Sequence, residues 1–147
     1  MNLPANLLVP TDFSANATSA LDYAVALAAK LDAKIHLLNV VGLQIFGAEN
    51  GIAVTASMVD SIMDGNQQEL DRLANARSGK VAFGSTLLKT GDARKVIDAT
   101  ATEVGADLIV MGTHGRRGVS RLLLGSVAES VVRTAPCPVL LIRAEPT

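Results

Sequence analysis

The sequence predicts an α/β fold in which a five-stranded parallel sheet is doubly wound, with helices on both of its faces. Short apolar runs alternate with longer stretches of helical periodicity, in the order βαβαβαβαβ. The strand runs are apolar at nearly every position, as strands covered on both faces require. Hydrophobic residues make up 49% of the 147 residues and charged residues only 18%, so the chain can bury a large core.

The first half of the chain contains two predicted strands and two predicted helices. Residues 7–10 form the first strand, which Pro10 ends because proline has no N–H to donate to a sheet. Ser14 is a candidate N-cap for an alanine-rich helix. Residues 35–41 form the second strand, and residues 42–53, with three glycines, form a long irregular connection. The apolar stripe of the second helix consists of Met58, Ile62, Leu70 and Leu73.

The second half contains three further strands, predicted at residues 86–89, 108–111 and 139–142. Between them lie two helices, the second of which begins with a capping box formed by Ser126 and Glu129. The apolar stripes of these helices are Val96, Ile97, Ala101 and Val104 in the third, and Val127, Val131 and Ala135 in the fourth. We expect right-handed crossovers and a single domain spanning residues 1–147.

Charge and cysteine content argue against several classes of function. The formal net charge is −1, which argues against nucleic acid or a membrane surface as the main partner. Cys137 is the single cysteine, so it has no partner for an internal disulfide. One cysteine and two scattered histidines do not make a zinc site. No secretory signal or membrane-spanning run is recognisable, and we expect a cytoplasmic protein.

The most unusual loops follow the first and fourth predicted strands. In a sheet of order 3-2-1-4-5, the strand order reverses between these two strands, and open parallel sheets bind ligands at such a point. The first loop runs from Pro10 to Ser14, and the second from Gly112 to Ser126. Glycines in the second loop let the backbone approach a ligand, and the start of the fourth helix favours an anion. Three loop arginines, Arg116, Arg117 and Arg121, add positive charge.

These features predict a phosphate site, although neither the Walker motif nor the dinucleotide fingerprint is present. Gly112, Gly115, Gly125 and Ser126 instead form the spacing G-x2-G-x9-G-[ST]. This spacing, with its flanking segments, resembles the ATP-binding branch of the universal stress protein family. Matching segments are Leu-Leu-Val-Pro-Thr-Asp-Phe-Ser, Leu-Leu-Asn-Val, Gly-Ala-Asp-Leu-Ile-Val-Met-Gly-Thr-His-Gly, Gly-Ser-Val-Ala-Glu and Cys-Pro-Val-Leu-Leu-Ile.

The resemblance implies a Rossmann-like sheet of order 3-2-1-4-5, of the adenine nucleotide alpha hydrolase-like type, with ATP at the reversal point. It implies that Mg²⁺ bridges phosphate oxygens and that the ion is held mainly by them. The nucleotide-binding residues it implies are Pro10, Thr11 and Asp12 on the adenosine side, Val40 at the adenine, Met111, Gly112 and Gly115 around the ribose and phosphates, and Gly125, Ser126 and Val127 at the phosphates. The charge of the second loop adds Arg116 as a candidate phosphate contact; the alternative is that the loop arginines form an ordinary solvated face.

Several of the residues that could be functional also have a simpler interpretation. Ser126 and Asp12 are good helix-capping residues whether or not a ligand is present. His114 is either a phosphate contact or a solvated loop residue, and His36 lies in a buried strand and is interpreted as structural. Met111 is a core residue first and a ligand wall second, and Cys137 is interpreted as a small packed side chain.

The last strand, residues 139–142, is expected at a sheet edge. Either a neighbouring segment covers it, or Val139, Leu140, Leu141 and Ile142 pair with a second copy in a homodimer, as the resemblance also implies. For function, we expect a nucleotide-dependent regulatory protein of the stress response with slow hydrolysis at most. The alternatives are an ATP hydrolase or nucleotidyl transferase using the same site, and a structural dimer without a ligand; no catalytic residue is assigned.

Overall fold

The computed structural model describes residues 2–42, 54–114 and 124–143. Strands and helices alternate along these residues, as the sequence predicts. The strands are β1 (Asn6–Pro10), β2 (Lys34–Val41), β3 (Ala82–Thr90), β4 (Leu108–Gly112) and β5 (Val139–Ile142). The helices are α1 (Ala15–Leu31), α2 (Ala56–Asn75), α3 (Ala93–Val104) and α4 (Ser126–Thr134).

The strands form one parallel sheet of order β3-β2-β1-β4-β5, which confirms the predicted fold class. In the register, Leu8 of β1 lies between His36 of β2 and Ile109 of β4. The carboxyl ends of β1 and β4 therefore lie side by side where the strand order reverses. That edge of the sheet is where open α/β folds bind ligands.

Side chains of alternate strand residues divide the core into two clusters, one on each face of the sheet. The first cluster combines Leu7, Ile35 and Leu37 with buried residues of α1 and α2. The second combines Leu8, Leu38 and Ile109 with buried residues of α3 and α4. Small side chains such as Ala24 and Ala28 let α1 approach the sheet closely, which explains why few aromatic residues suffice.

The third strand is longer than predicted and begins four residues earlier, at Ala82 instead of residue 86. Its first residues, Ala-Phe-Gly-Ser, do not form an apolar run because β3 is an edge strand with half-exposed side chains. The pairing with β2 is irregular between Ile35 and Leu37, opposite Gly84. The prediction therefore missed the first residues of β3, whose sequence is least typical of a buried strand.

His36 is buried, as expected for a structural residue, with 7% of its surface exposed. Its Nε2 lies 3.2 Å from Oδ1 of Asn6, and its ring lies against the backbone of Gly84, where an added Cβ would come within 2.4 Å of Cε1. Burial and the nearby charge of Lys34 lower the pKa of the imidazole. The histidine is therefore kept neutral at neutral pH by the packing around it.

Strand β5 lies at the sheet edge, as predicted, and all four of its side chains are half-buried. Leu140 packs against the first core cluster and Leu141 against the second. Cys137, just before the strand, is half-buried, and its burial and the charges of Asp107 and Asp98 raise the pKa of its thiol. Within the described ranges, no helix is long and apolar enough to cross a membrane.

Candidate functional site

A cleft of about 920 Å³ lies at the carboxyl ends of β1 and β4, between the starts of α3 and α4. This volume lies within the usual range for small-molecule sites, roughly 300–1,000 Å³. The cleft brings together most of the residues predicted to bind a nucleotide: Pro10, Thr11, Asp12, Val40, Met111, Gly112, Gly125, Ser126 and Val127. The remaining two, Gly115 and Arg116, fall outside the described ranges, as do Arg117 and Arg121.

The first wall of the cleft is the tight turn that follows β1. The N–H of Ser14 donates to Oδ1 of Asp12 at 3.0 Å, and the N–H of Phe13 donates to Oγ1 of Thr11 at 3.0 Å. Phe13 adopts a positive φ of 66°, which costs a non-glycine residue roughly 1–2 kcal/mol. Packing of its side chain against the first core cluster offsets this cost. Ser14 caps α1 as predicted, accepting from the N–H of Ala17.

A buried asparagine, which the sequence analysis did not single out, fixes the position of this turn. Asn39 is 4% exposed, and its Nδ2 donates to the carbonyl oxygen of Thr11 at 2.8 Å. Its Oδ1 accepts from Nδ2 of Asn66 at 3.1 Å, which connects the turn to α2. The place of Asn39 inside the apolar run Leu-Leu-Asn-Val-Val of β2 was the available signal, since a buried amide needs hydrogen-bond partners.

The floor of the cleft is apolar and belongs to the second core cluster. Leu38, Ile97 and Met111 are buried members of that cluster and also line the cleft. Val40 packs against the same cluster at the end of β2. Met111 is therefore a core residue, as the sequence analysis expected, and it also lines the cleft. A flat apolar group would bury its surface against these side chains.

The glycine at the end of β4 lines the cleft and also makes a contact that the sequence analysis did not predict. Gly112 does not have a positive φ, and an added Cβ would lie 2.5 Å from Oδ1 of Asn16. The glycine therefore makes room for an asparagine side chain of α1, whether or not a ligand also approaches it. His114, two residues later, donates its N–H to the same Oδ1 at 2.9 Å. Its Nδ1 lies 3.0 Å from Oγ1 of Thr113.

The start of α4 differs by one residue from the prediction. Gly125, not Ser126, is the N-cap, so the predicted capping box of Ser126 and Glu129 is wrong. Ser126 is the first helical residue, and the side chain of Glu129 bonds to Arg133 instead. The reason is that the carbonyl of Gly125 accepts the first helical bond, from the N–H of Glu129 at 2.9 Å. Gly125 brings no side-chain acceptor to the helix start, where the dipole is positive.

Two charged residues that the sequence analysis did not predict to bind a ligand also line the cleft. Arg94 lies at the start of α3, and its guanidinium is held by Asp92, with Nη2 2.9 Å from Oδ2. The hydrogen bond with Arg94 lowers the pKa of the Asp92 carboxyl, so the pair is ionised at neutral pH. Glu129 of α4 is the second charged residue. Both are surface positions on helices, where a charge carries no signal in the sequence.

A second depression, of about 840 Å³, lies at the opposite end of the sheet. It is lined by the amino ends of β1, β2 and β3 and includes Lys34, Lys80 and Asp32. Among the helices of the described residues none begins there, and the amino ends of parallel strands are not the usual ligand edge. The cleft at the carboxyl ends is therefore the stronger candidate site.

Several solved structures have the same fold, among them two solved with a nucleotide. A universal stress protein in complex with cAMP is 24% identical, with a TM-score of 0.68 over 95% of this chain and 97% of that chain. A universal stress protein family protein from Arabidopsis thaliana with AMP bound is 20% identical, with a TM-score of 0.62 over 97% of this chain and 93% of that chain. At these identities the likeness shows a shared fold.

Closer relatives cover nearly the whole chain. A universal stress protein family member from Burkholderia pseudomallei is 34% identical, with a TM-score of 0.75 over 95% of this chain and 96% of that chain. Universal stress protein MJ0531 of Methanocaldococcus jannaschii is 32% identical over 143 residues, which are 97% of this chain and 84% of the relative. The sequence model of the universal stress protein family matches residues 5–143. The chain therefore belongs to the universal stress protein family.

Proposed function

We propose that this chain is a cytoplasmic regulatory protein that binds ATP with Mg²⁺ in the cleft between β1 and β4 and turns it over slowly at most. The observation that carries the proposal is the cleft itself, which combines an apolar floor with a helix N-terminus at the edge of the sheet where ligands bind. Related proteins solved with cAMP and with AMP support an adenine nucleotide as the ligand class.

The apolar end of the cleft fits a purine base. Leu38 and Ile97 are fully or almost fully buried, and the half-exposed Val40 extends the same surface toward solvent. Asp12 lies beside this surface on the turn after β1 and is the candidate partner for a ribose hydroxyl. Burying the apolar face of a base contributes to affinity in proportion to area, roughly 25 cal/mol per Å² before the costs of binding.

The start of α4 fits the phosphates. The N–H groups of Ser126, Val127 and Ala128 occupy the first turn of a helix whose N-cap is a glycine. Unpaired N–H groups and the positive end of the helix dipole together favour an anion. Ser126 is exposed and lines the cleft, so its hydroxyl is available to the same group. In this proposal Mg²⁺ is held mainly by phosphate oxygens and neutralises their charge.

Asp12 and His114 of the cleft walls are already engaged in hydrogen bonds within those walls. Asp12 accepts from the N–H of Ser14, and His114 lies 3.0 Å from the hydroxyl of Thr113 through its Nδ1. Rapid phosphoryl transfer needs a group that orients the nucleophile as well as cations. We therefore propose binding as the function, with ATP hydrolysis or nucleotidyl transfer as the outcome that fast turnover would indicate.

The experiment is a calorimetric titration of nucleotide-free protein with ATP, AMP, cAMP, adenosine and GTP, each with and without Mg²⁺. We expect saturable binding of the adenine nucleotides, and ATP at about a hundred times Kd should stabilise the fold by about 2.7 kcal/mol. Ala93→Phe fills the cleft from the first residue of α3 and should weaken ATP binding at least about tenfold. Ala99→Phe, exposed on the same helix, is the matched control.

The outcomes separate the alternatives. Absence of binding for every adenine nucleotide would refute the proposal and favour a structural protein of this fold. Equal binding of GTP would reject adenine as the recognised base. Phosphate release at more than about 1 s⁻¹, the lower end of ordinary enzyme turnover, would assign an enzyme instead.

The homodimer belongs to the same proposal. Among the residues that the structure describes, β5 pairs only with β4 and has an open edge on its other side. Its bonds to β4 use the carbonyls of Pro138 and Ile142, which accept from Ile109 and Thr113. Because successive residues alternate along a strand, the backbone groups of Val139 and Leu141 face the open edge. We propose that these groups pair with the same strand of a second copy across a two-fold axis.

A further inference from the structure

One amide side chain joins three elements beside the cleft. Asn16 lies in the first turn of α1, and its Oδ1 accepts from the N–H of His114 at 2.9 Å. Its Nδ2 donates to the carbonyl oxygen of Ile142, the last residue of β5, at 3.4 Å. The asparagine thereby connects α1, the residues that follow β4, and the end of β5.

The backbone of β4 is shaped around this amide. An added Cβ on Gly112 would lie 2.5 Å from Oδ1 and 2.8 Å from Cγ of Asn16, which is closer than packed atoms come. Since Gly112 does not have a positive φ, its conformation by itself would admit a side chain. The asparagine is therefore what requires a glycine at this position.

The hydrogen bonds of Thr113, the neighbour of His114, reach the opposite wall of the cleft. The N–H of Thr113 donates to the carbonyl of Ile142 at 3.1 Å, and the carbonyl of Thr113 accepts from the N–H of Gly125 at 2.7 Å. Gly125 is the N-cap of α4. The position of Thr113 and His114, which Asn16 helps to hold, therefore sets the position of the helix start proposed to face the phosphates.

We propose that Asn16 is a positioning residue of the cleft, which holds Thr113 and His114 in place, and that Gly112 is glycine in order to admit its amide. The expected effect on nucleotide affinity rests on the proposed function. The effect on local structure does not, and can be measured in nucleotide-free protein.

The first test is a double-mutant cycle on thermal unfolding without nucleotide. Gly112→Ala should lower the Tm by several degrees, about what mild overpacking causes in a domain of this size. In the Asn16→Ala background, the same alanine at 112 should cost much less, because the amide that it would contact is gone. If the single variant fails to fold, folding of the double variant supports the pairing. An equal penalty in both backgrounds, or misfolding in both, would overturn it.

The second test is amide hydrogen exchange of His114, also without nucleotide. Asn16→Ala should raise its exchange rate at least about tenfold, while the N–H of Thr11, which donates to Leu38 at 2.8 Å on the other wall, stays protected. Asn16→Asp keeps the acceptor and should restore protection at His114. Asn75→Ala, exposed at the end of α2, is the control. Exchange that rises equally at His114 and Thr11 would indicate a merely structural role and refute positioning.

The last readout is ATP affinity of the same variants. Asn16→Ala should raise the Kd about tenfold, the effect of about one lost anchoring hydrogen bond, whereas Asn75→Ala should leave it unchanged. An unchanged Kd in Asn16→Ala would show that Asn16 does not position the cleft. If the wild-type protein binds no adenine nucleotide, the proposed function fails, and the exchange and stability measurements still decide the pairing of Asn16 with Gly112.

Discussion

A negative charge placed at the start of α4 should leave the free energy of unfolding unchanged or slightly higher while it lowers the affinity of the cleft for ATP. Ser126 is the first residue of α4, is exposed, and lines the cleft. Ser126→Glu adds a carboxylate at the positive end of the helix dipole. The dipole makes this change favourable for folding by about 0.3–1 kcal/mol, less roughly 0.2–0.5 kcal/mol for repulsion by Glu129 three residues further on. We therefore expect the variant to be as stable as the wild type or slightly more stable.

The same carboxylate should repel a bound phosphate and so weaken the binding of ATP. For a carboxylate and a phosphate charge about 5 Å apart, Coulomb's law gives about 1–3 kcal/mol between aqueous screening and an effective dielectric constant of about 20. This range corresponds to a Kd for ATP that is about 5- to 150-fold higher. Adenosine, which has no phosphate, should bind the variant as it binds the wild type. The difference for ATP should shrink as salt is added.

The assay is calorimetry with ATP and adenosine at low and high salt, combined with urea unfolding of each variant. Ser126→Ala controls for loss of the hydroxyl, and Ser130→Glu places the same charge one turn further along α4, away from the cleft lining. A folded Ser126→Glu variant whose Kd for ATP equals that of the wild type would refute the phosphate position. Equal weakening of ATP and adenosine would point to a distorted cleft instead.

Three further outcomes follow from the packing of single residues. The pKa of His36 is lowered in the folded state, so just below the usual pKa of about 6.5 only the unfolded state takes up its proton. Urea unfolding should therefore show that the free energy of unfolding falls as the pH drops below that value, and that it falls less in His36→Gln. Gly84→Ala should cost about 1–3 kcal/mol in the same assay because its Cβ meets the His36 ring, whereas Gly65→Ala, in α2 with open space around it, should stabilise by about 0.5–1 kcal/mol. Leu141→Pro removes an N–H from the open edge of β5, and light scattering should then report monomers with unchanged circular dichroism; a persistent dimer mass would contradict pairing through β5.

The sequence predicted the alternation of strands and helices because it follows from regularities that need no side-chain detail, and the strand order 3-2-1-4-5, which the family resemblance implied, then gave the place of the cleft. Continuous apolar strands require helices on both faces, and the loops after the first and fourth strands then meet at the reversal point. The N-cap of α4 was misplaced by one residue because Ser126 and Glu129 have the spacing of a capping box, while the cap geometry depends on the backbone of Gly125. Spacing alone could not distinguish the two.

Asn16 and Asn39 were missed for a different reason. A short polar residue early in a helix is typical of an exposed surface, and nothing local indicates that Asn16 contacts residues about a hundred positions away. Likewise, the sequence analysis interpreted Gly112 as a place where the backbone approaches a ligand. Its contact with Asn16 depends on a side chain from another element. Partners distant in sequence are the information that local patterns lack.

The core on the α3–α4 side of the sheet opens into the cleft. Leu38, Ile97, Met111 and Ala128 pack together in the interior and also form part of the cleft surface. Any group that occupies the cleft therefore extends this core, as an additional side chain would. At this floor, selectivity for the apolar part of a ligand and strength of folding are consequently set by the same atoms, and accepting an apolar group of a different shape requires repacking of the interior.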